Sequence, residues 1–272
     1  MTIIDDRRKA LLQRVHDFGG PLNEPAVFVQ FMAQVMHESG GLRYVREIWG
    51  PTKAQKGYEG RKDLGNTQPG DGKRFMGRDV IQITGRANYR ALSKWAGFDF
   101  EAKPEALESL EWLGIGAIWY FLQARPKMIQ YCRDGNIEMV TRQVNGGLNG
   151  YQDRLRWYDD AALKLLGFGS IKAFQQNAGL VVDGISGPKT RAAMHKALLG
   201  VKVERPSIDE PSMNHRPTID KPSPPPIIEG KRTDIPARPT QRGPVNAPGV
   251  MIVLAVGTAM AAAWHWLLSF FN

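Results

Sequence analysis

Between Pro25 and Glu38, apolar residues return at Phe28, Phe31, Met32, Val35 and Met36, and Gly40-Gly41 stops the run. That three-and-four spacing predicts a helix with one buried face. Glu105 to Ala124 reads as a second strongly apolar helix, closed ahead of Arg125-Pro126. Ile137 to Val144 predicts a short helix ended by Asn145-Gly146-Gly147, and Asp153 to Leu166 another, closed by Gly167. Residues 50–79 are rich in glycine and charge and predict a long loop or lid. Long irregular stretches inside a domain tend to carry function. The pattern therefore predicts a mainly α globular domain over residues 1–166.

Past that domain the pattern changes twice. Residues 167–200 predict a small helical unit. Ile171-Lys172-Ala173-Phe174-Gln175-Gln176 opens it, and Pro188 is suited to be the first residue of a closing helix over Ala192 to Leu199. Residues 201–249 hold 11 of the chain's 18 prolines and no Phe, Trp or Tyr. Arg205-Pro206-Ser207-Ile208-Asp209 recurs there as Arg216-Pro217-Thr218-Ile219-Asp220, so a semi-rigid disordered linker is expected. Val250 to Phe271 carries no formal charge over 22 residues, with Trp264 and Trp266 toward one end. This matches the length and flanking aromatics of a transmembrane helix. Lys231, Arg232, Arg238 and Arg242 precede it, which predicts a cytoplasmic N-terminal bulk and an inner-membrane anchor through the C-terminus. No apolar stretch follows the charged N-terminus, so no secretory signal is expected.

Composition narrows the partners. A net charge of +9 and a pI near 9.7 favour an anionic wall, membrane face or nucleic acid. No basic-aromatic stripe or Cys/His motif supports a nucleic acid, which ranks last. Cys132 is the only cysteine and reads as a small buried hydrophobe. No histidine lies four residues after His37, so no metal site is expected.

The candidate chemistry lies in two glutamates. Glu38 ends an apolar helix, where unpaired carbonyls and low polarity favour its protonated form, as a general acid needs. Glu47 lies among Arg43, Arg46 and Trp49, where cations favour its ionised form, as a base needs. Two carboxyls kept in different states are the means by which glycosidic bonds are hydrolysed. A glutamate that simply pairs with arginine would give the same local sequence.

Three motifs add context: His37-Glu38-Ser39-Gly40-Gly41, then Gly77 through Tyr89 (GRDVIQITGRANY), then Asn145-Gly146-Gly147-Leu148-Asn149-Gly150. In this order, over roughly residues 25–165, they resemble glycoside hydrolase family 19, which contains chitinases and phage endolysins. Tyr58-Glu59-Gly60-Arg61, Leu64-Gly65-Asn66 and Gly70-Asp71-Gly72 resemble the endolysin branch. The resemblance implies a lysozyme-like helical catalytic domain without cofactor. It implies Glu38 as general acid, Glu47 as general base of an inverting reaction, and Thr84 as the hydroxyl that positions water. Gln82, Asn88, Tyr89 and Asn145 match substrate-binding positions; turn and capping roles remain open for Gln82 and Asn145. An inverting pair implies carboxyls about 6.5 to 9.5 Å apart. Gly77-Arg78-Asp79 departs from the usual Gly-Arg-Gly, which leaves the local loop geometry open.

Residues 167–200 resemble a shortened peptidoglycan-binding domain through Asp183, Gly184, Gly187, Pro188 and Thr190. A helical add-on without ligand is the other reading. The expected function is that of an endolysin cutting the β-1,4 linkages of peptidoglycan. A chitinase, a lytic transglycosylase and a membrane-tethered wall-binding protein without catalysis are the alternatives.

Overall fold

A computed structural model describes residues 2–201 of the chain. The linker and the membrane span expected beyond them lie outside the described residues. Among the described residues no helix is long and apolar enough to cross a membrane. The α-helices are α1 (Ile3–Phe18), α2 (Pro25–Glu38), α3 (Lys53–Lys56), α4 (Asp71–Arg74), α5 (Arg86–Ala96), α6 (Ile115–Trp119), α7 (Met128–Arg133), α8 (Ile137–Asn145), α9 (Tyr151–Leu166), α10 (Ile171–Asn177) and α11 (Pro188–Gly200). Short 3-10 turns occupy Gly20–Asn23, Lys62–Leu64 and Pro104–Glu108, and a π turn spans Tyr120–Ala124.

The mainly α expectation holds, and α2 is its axis. Pro25 starts α2, and every residue from Ala26 to Met36 is buried. A helix covered on all sides belongs at the centre of a domain. It packs most extensively on α9, and also on α7, α8 and α11. Phe31 and Phe121 meet edge to face 5.0 Å apart, joining α2 to the π turn. The helix α1 had no expected counterpart. Thr2 and Asp5 form its capping box, and Leu11, Leu12 and Val15 are its buried face.

The expected helix over Glu105 to Ala124 is broken. Pro104–Glu108 is a 3-10 turn, α6 begins only at Ile115, and Gly114 between them has φ 86°. A side chain at Gly114 would also collide with Leu11 Cδ1, 2.4 Å from a Cβ there. The break is enforced from elsewhere in the chain: the Asp79 carboxylate accepts the N–H groups of Gly114 and Ala117 and so caps α6. Trp112 is turned inward onto Phe98 and Phe100. Hydrophobic periodicity cannot register a cap supplied by residue 79.

The expected lid at 50–79 is a pinned sequence of short turns. Glu59 accepts from the N–H groups of Gly70 and Gly72, and Asn66 Nδ2 donates to the Tyr58 carbonyl. Arg86 forks onto Asp71 and reaches Glu101. Guanidinium contacts from Arg90 and then Arg86 hold the Glu101 carboxyl down at about 2, against the opposing effect of burial.

Helices α10 and α11 share the core of the preceding helices, through Phe174, Met194 and Leu198. Pro188 is the first residue of α11, as expected. Arg191 forks onto Asp159 of α9 with both distances at 2.9 Å, and His195 Nε2 lies 2.8 Å from the Arg133 carbonyl oxygen.

The Gln30 amide is fully buried on α2 and makes no hydrogen bond among the described residues. Gln30→Met should therefore raise stability by about 1 kcal/mol, read as a higher denaturation midpoint. A lower midpoint would mean the amide is satisfied. Glu101 holds its proton less tightly in the fold than unfolded, so its contribution is present above the ordinary glutamate range and is lost as pH falls toward 2. Glu101→Gln should flatten the acid limb of a stability-against-pH curve between about pH 4.5 and 2.

Candidate active site

Glu38 is the last residue of α2, and the chain turns sharply beyond it. The buried Ser39 hydroxyl donates to the Val35 carbonyl at 2.7 Å and accepts from the Leu42 N–H at 2.8 Å. Gly40, Gly41 and the buried Leu42 all have positive φ, so the reversal is tight. Arg7 of α1 clamps it by donating to the carbonyls of Leu42 and Arg43.

Glu38 does not lie in apolar surroundings alone. Arg154 of α9, with no exposed surface, donates to Glu38 Oε1 and to Gln34 Oε1, both at 2.5 Å. Its Nε–H faces the Asn149 carbonyl at 3.4 Å. The expectation of a helix end among apolar neighbours is corrected here: a buried cation is shared between the glutamate and a neutral amide. Sequence offered a signal for it. Arg154 lies on one helical face with Tyr158, Ala161 and Leu165, a charge within an apolar stripe. Beside it, His37 Nδ1 lies 2.7 Å from Asp153 Oδ2, and Gly150 is packed so closely on the His37 ring that a Cβ would lie 2.2 Å from it. Burial, reinforced by the charge of Glu38 and opposed by Arg125, pushes the Tyr120 phenol up; Tyr120 opens the π turn and donates to the Gln143 carbonyl. π turns recur at functional sites.

Glu47 is held differently from the expectation. Arg46 turns to Glu108, and the Glu47 carboxylate accepts from neutral donors: Gln55 Nε2 at 3.0 Å and Tyr58 OH at 3.2 Å on Oε1, and the Gly77 N–H at 3.1 Å on Oε2. Hydrogen bonds replace the expected cations, and an acceptor-only carboxylate suits all three. Burial, then the negative charge of Glu47, push the Tyr58 phenol up. The Glu47 N–H donates to the Gly77 carbonyl at 2.8 Å, and isolated bridges join Arg46 to Arg78 and Arg78 to Ile83.

Gly77 gathers the expected cleft residues. A Cβ there would lie 2.8 Å from Gln82 Oε1 and 3.3 Å from Thr84 Oγ1, so both side chains lie against the glycine that binds Glu47. Gln82 takes φ 60° and donates to the Asp79 carbonyl; Thr84 donates to the Gln82 carbonyl. Asn88 is exposed and donates to the Thr84 carbonyl. Asn145 is exposed at the end of α8, on the loop that returns to Arg154. Tyr89 does not line a cleft. It is fully buried, donates to the Met76 carbonyl and accepts from Arg78, because α5 turns it into the core. Asp79, where the resembled pattern has glycine, does adopt the left-handed conformation, at φ 63°. Bonds to its carboxylate from the N–H groups of Gly114, just before α6, and Ala117, within it, compensate the strain.

Elsewhere, Gln175 is buried and ties together Asp183, Gly184, Ile185 and Thr190, so the side chains of Asp183 and Thr190 serve their own loop. Among the described residues no group of three His, Cys, Asp or Glu side chains is arranged to hold a metal. Cys132 is buried, and burial pushes its thiol far up.

A protein of Haemophilus influenzae described as a glycosyl hydrolase family 19 domain-containing protein is 34% identical over 156 residues, covering 47% of this chain and 74% of the relative. The chain belongs to glycosyl hydrolase family 19. Among solved structures, chitinase C from Streptomyces griseus HUT6037 is similar with TM-score 0.46 and 22% identity, over 59% of this chain and 69% of that one. A bacterial family 19 chitinase is similar with TM-score 0.45 and 20% identity, over 60% and 85%. Residues 169–194 match the model described as "Putative peptidoglycan binding domain". The family and this domain support a glycoside hydrolase directed at the cell wall.

Two variants probe the geometry. Arg154→Gln should lower kcat by about a hundredfold with a smaller change in KM, since a misplaced catalytic group costs on that scale; unchanged kcat would remove Arg154 from the positioning of Glu38. Burial pushes the Asp79 carboxyl up to about 6, against backbone N–H donors led by Gly114. Its stabilising protonated form is complete below the unfolded value of 3.8 and is lost as pH rises through about 6. The melting point of Asp79→Asn relative to the parent should therefore shift in the variant's favour from pH 4 to pH 7. A pH-independent difference would contradict this.

Proposed function

We propose that the chain is an endolysin-type hydrolase that cuts β-1,4 bonds of peptidoglycan with inversion, Glu38 acting as acid and Glu47 as base. The observation that carries the reading is the unequal anchoring of the two carboxyls. Arg154 holds Glu38 through Oε1, which leaves Oε2 free to face the leaving oxygen. Glu47 has about four lone-pair sites as a carboxylate. Three are filled, two on Oε1 and one on Oε2, so the remaining site is on Oε2, beside Gly77. A water held there meets the side on which Gln82 and Thr84 lie, and Thr84 orients it toward the sugar. Gln82, Asn88 and Asn145 offer amides that read sugar hydroxyls and acetamido groups without adding charge.

The wall-binding match at 169–194 favours peptidoglycan over chitin. A transglycosylase needs one glutamate, and the three-donor cradle around Glu47 would then have no use. In this reading residues 250–271 hold the enzyme at the inner membrane, residues 201–249 give it reach, and membrane collapse admits it to the wall. Protease protection of residues 2–201 in intact spheroplasts is the expected outcome for that orientation, and digestion would exclude it.

The chemistry is tested on purified peptidoglycan. Glu38→Gln and Glu47→Gln should each lose at least about a hundredfold in activity, the scale of a positioned acid or base, and the first products should carry the inverted anomer. Retained configuration or anhydro-sugar ends, with Glu47→Gln still active, would overturn the mechanism.

A further inference from the structure

The segment that carries Glu47 also carries an unusual share of charge. Between Arg43 and Lys56 the sequence has four cations and one acid, Glu47 itself. Glu47 is bound by neutral donors, so it neutralises none of them directly. Arg46 meets Glu108 at 3.4 Å. Arg43, Lys53 and Lys56 are exposed, and no carboxylate pairs with them among the described residues.

Their placement is fixed by the same contacts that fix the base. Thr52 and Gln55 cap α3 reciprocally. Gln55 is buried and donates to both Glu47 Oε1 and the Ile48 carbonyl. Lys53 and Lys56 are three apart on that single turn, so they project together from it while Gln55 points inward. Trp49 leans on Tyr58 with ring centroids 6.3 Å apart, and Tyr58 donates to Glu47. On the other side Tyr44, half exposed, packs over Gly40, two residues from Glu38. Ile48 is 75% exposed. Aromatic side chains therefore stand near both glutamates, and the exposed Arg43, Lys53 and Lys56 belong to the same segment as Glu47.

We propose that Arg43, Lys53 and Lys56 form a specificity margin that binds the free carboxylates of peptidoglycan stem peptides. This rests on the reading of the site as a peptidoglycan hydrolase and names which part of the substrate it prefers. A polymer of N-acetylglucosamine carries no formal charge and gains nothing from such a margin. A glycan strand bearing peptides presents carboxylates at regular intervals, and cations beside the cleft raise its local concentration. Because these side chains are exposed, each contact is modest and screened by salt.

The experiment compares the parent with Lys53→Gln/Lys56→Gln on three substrates: intact peptidoglycan, the same glycan stripped of its peptides by an amidase with the lactyl carboxylates thereby freed capped as neutral amides, and neutral N-acetylglucosamine oligomers. At low salt, the parent's preference in kcat/KM for intact over stripped glycan should fall about three- to tenfold in the double variant, as expected for two exposed charge contacts. In about 0.5 M salt, where the screening length is only a few ångströms, the two proteins should converge. An unchanged preference, or an equal loss on stripped glycan, overturns the margin. If the parent cleaves neutral oligomers but neither glycan, the peptidoglycan reading itself falls, and the margin with it. Melting points of the two proteins check that the variant is folded, and replacing Arg43 by Gln in a separate variant should move the preference in the same direction.

Discussion

A guanidinium with no exposed surface lies between the two helices that pack most extensively, and the geometry of Glu38 depends on it. Arg154 reaches across from α9 to Gln34 and Glu38 of α2, and its Nε–H faces the loop after α8. A buried charge is tolerable only when its partners are in place. The acid, the register of α2 against α9 and the position of the Asn149 carbonyl are therefore linked. His37 and Asp153, each next to one of these partners in sequence, make a second crossing between the same helices.

The base is built on another principle. Glu47 stands on an irregular strap, where no helix register fixes its side chain, and three donors from different segments hold it instead. Gln55 comes from α3, Tyr58 from the turn after it, and Gly77 from the strap that also carries Gln82 and Thr84. That strap is in turn tied to α6 by Asp79 and to the Pro104–Glu108 turn by Arg78. The left-handed Asp79 and Gln82 are strained positions held by their surroundings, as is common where side chains must be aimed.

The small helical unit at 169–194 adds a constraint of a different kind. Its Phe174 and Met194 belong to the same core as α2, and Arg191 is forked onto Asp159 of α9. Deleting it would uncover that core, so wall binding is better probed by substitutions on its exposed loop. Val181 and Ile185, strongly exposed there, are free of the core.

The sequence by itself determined those features whose physics is local. Periodicity set α2, α8 and α9, glycine set their ends, proline set the start of α11, and the resemblance of the motifs singled out Glu47, Gln82 and Thr84, which meet at Gly77. It did not determine what surrounds them. Arg46, next to Glu47 in sequence, pairs with Glu108 instead, Tyr89 of the cleft motif points into the core, and the apolar run at 105–124 is cut by a cap from Asp79. Arg154 reaches Glu38 across 116 positions. These outcomes depend on which buried polar group finds which partner, and that is decided only when distant segments pack, because desolvation makes an unpaired group costly wherever the chain has placed it.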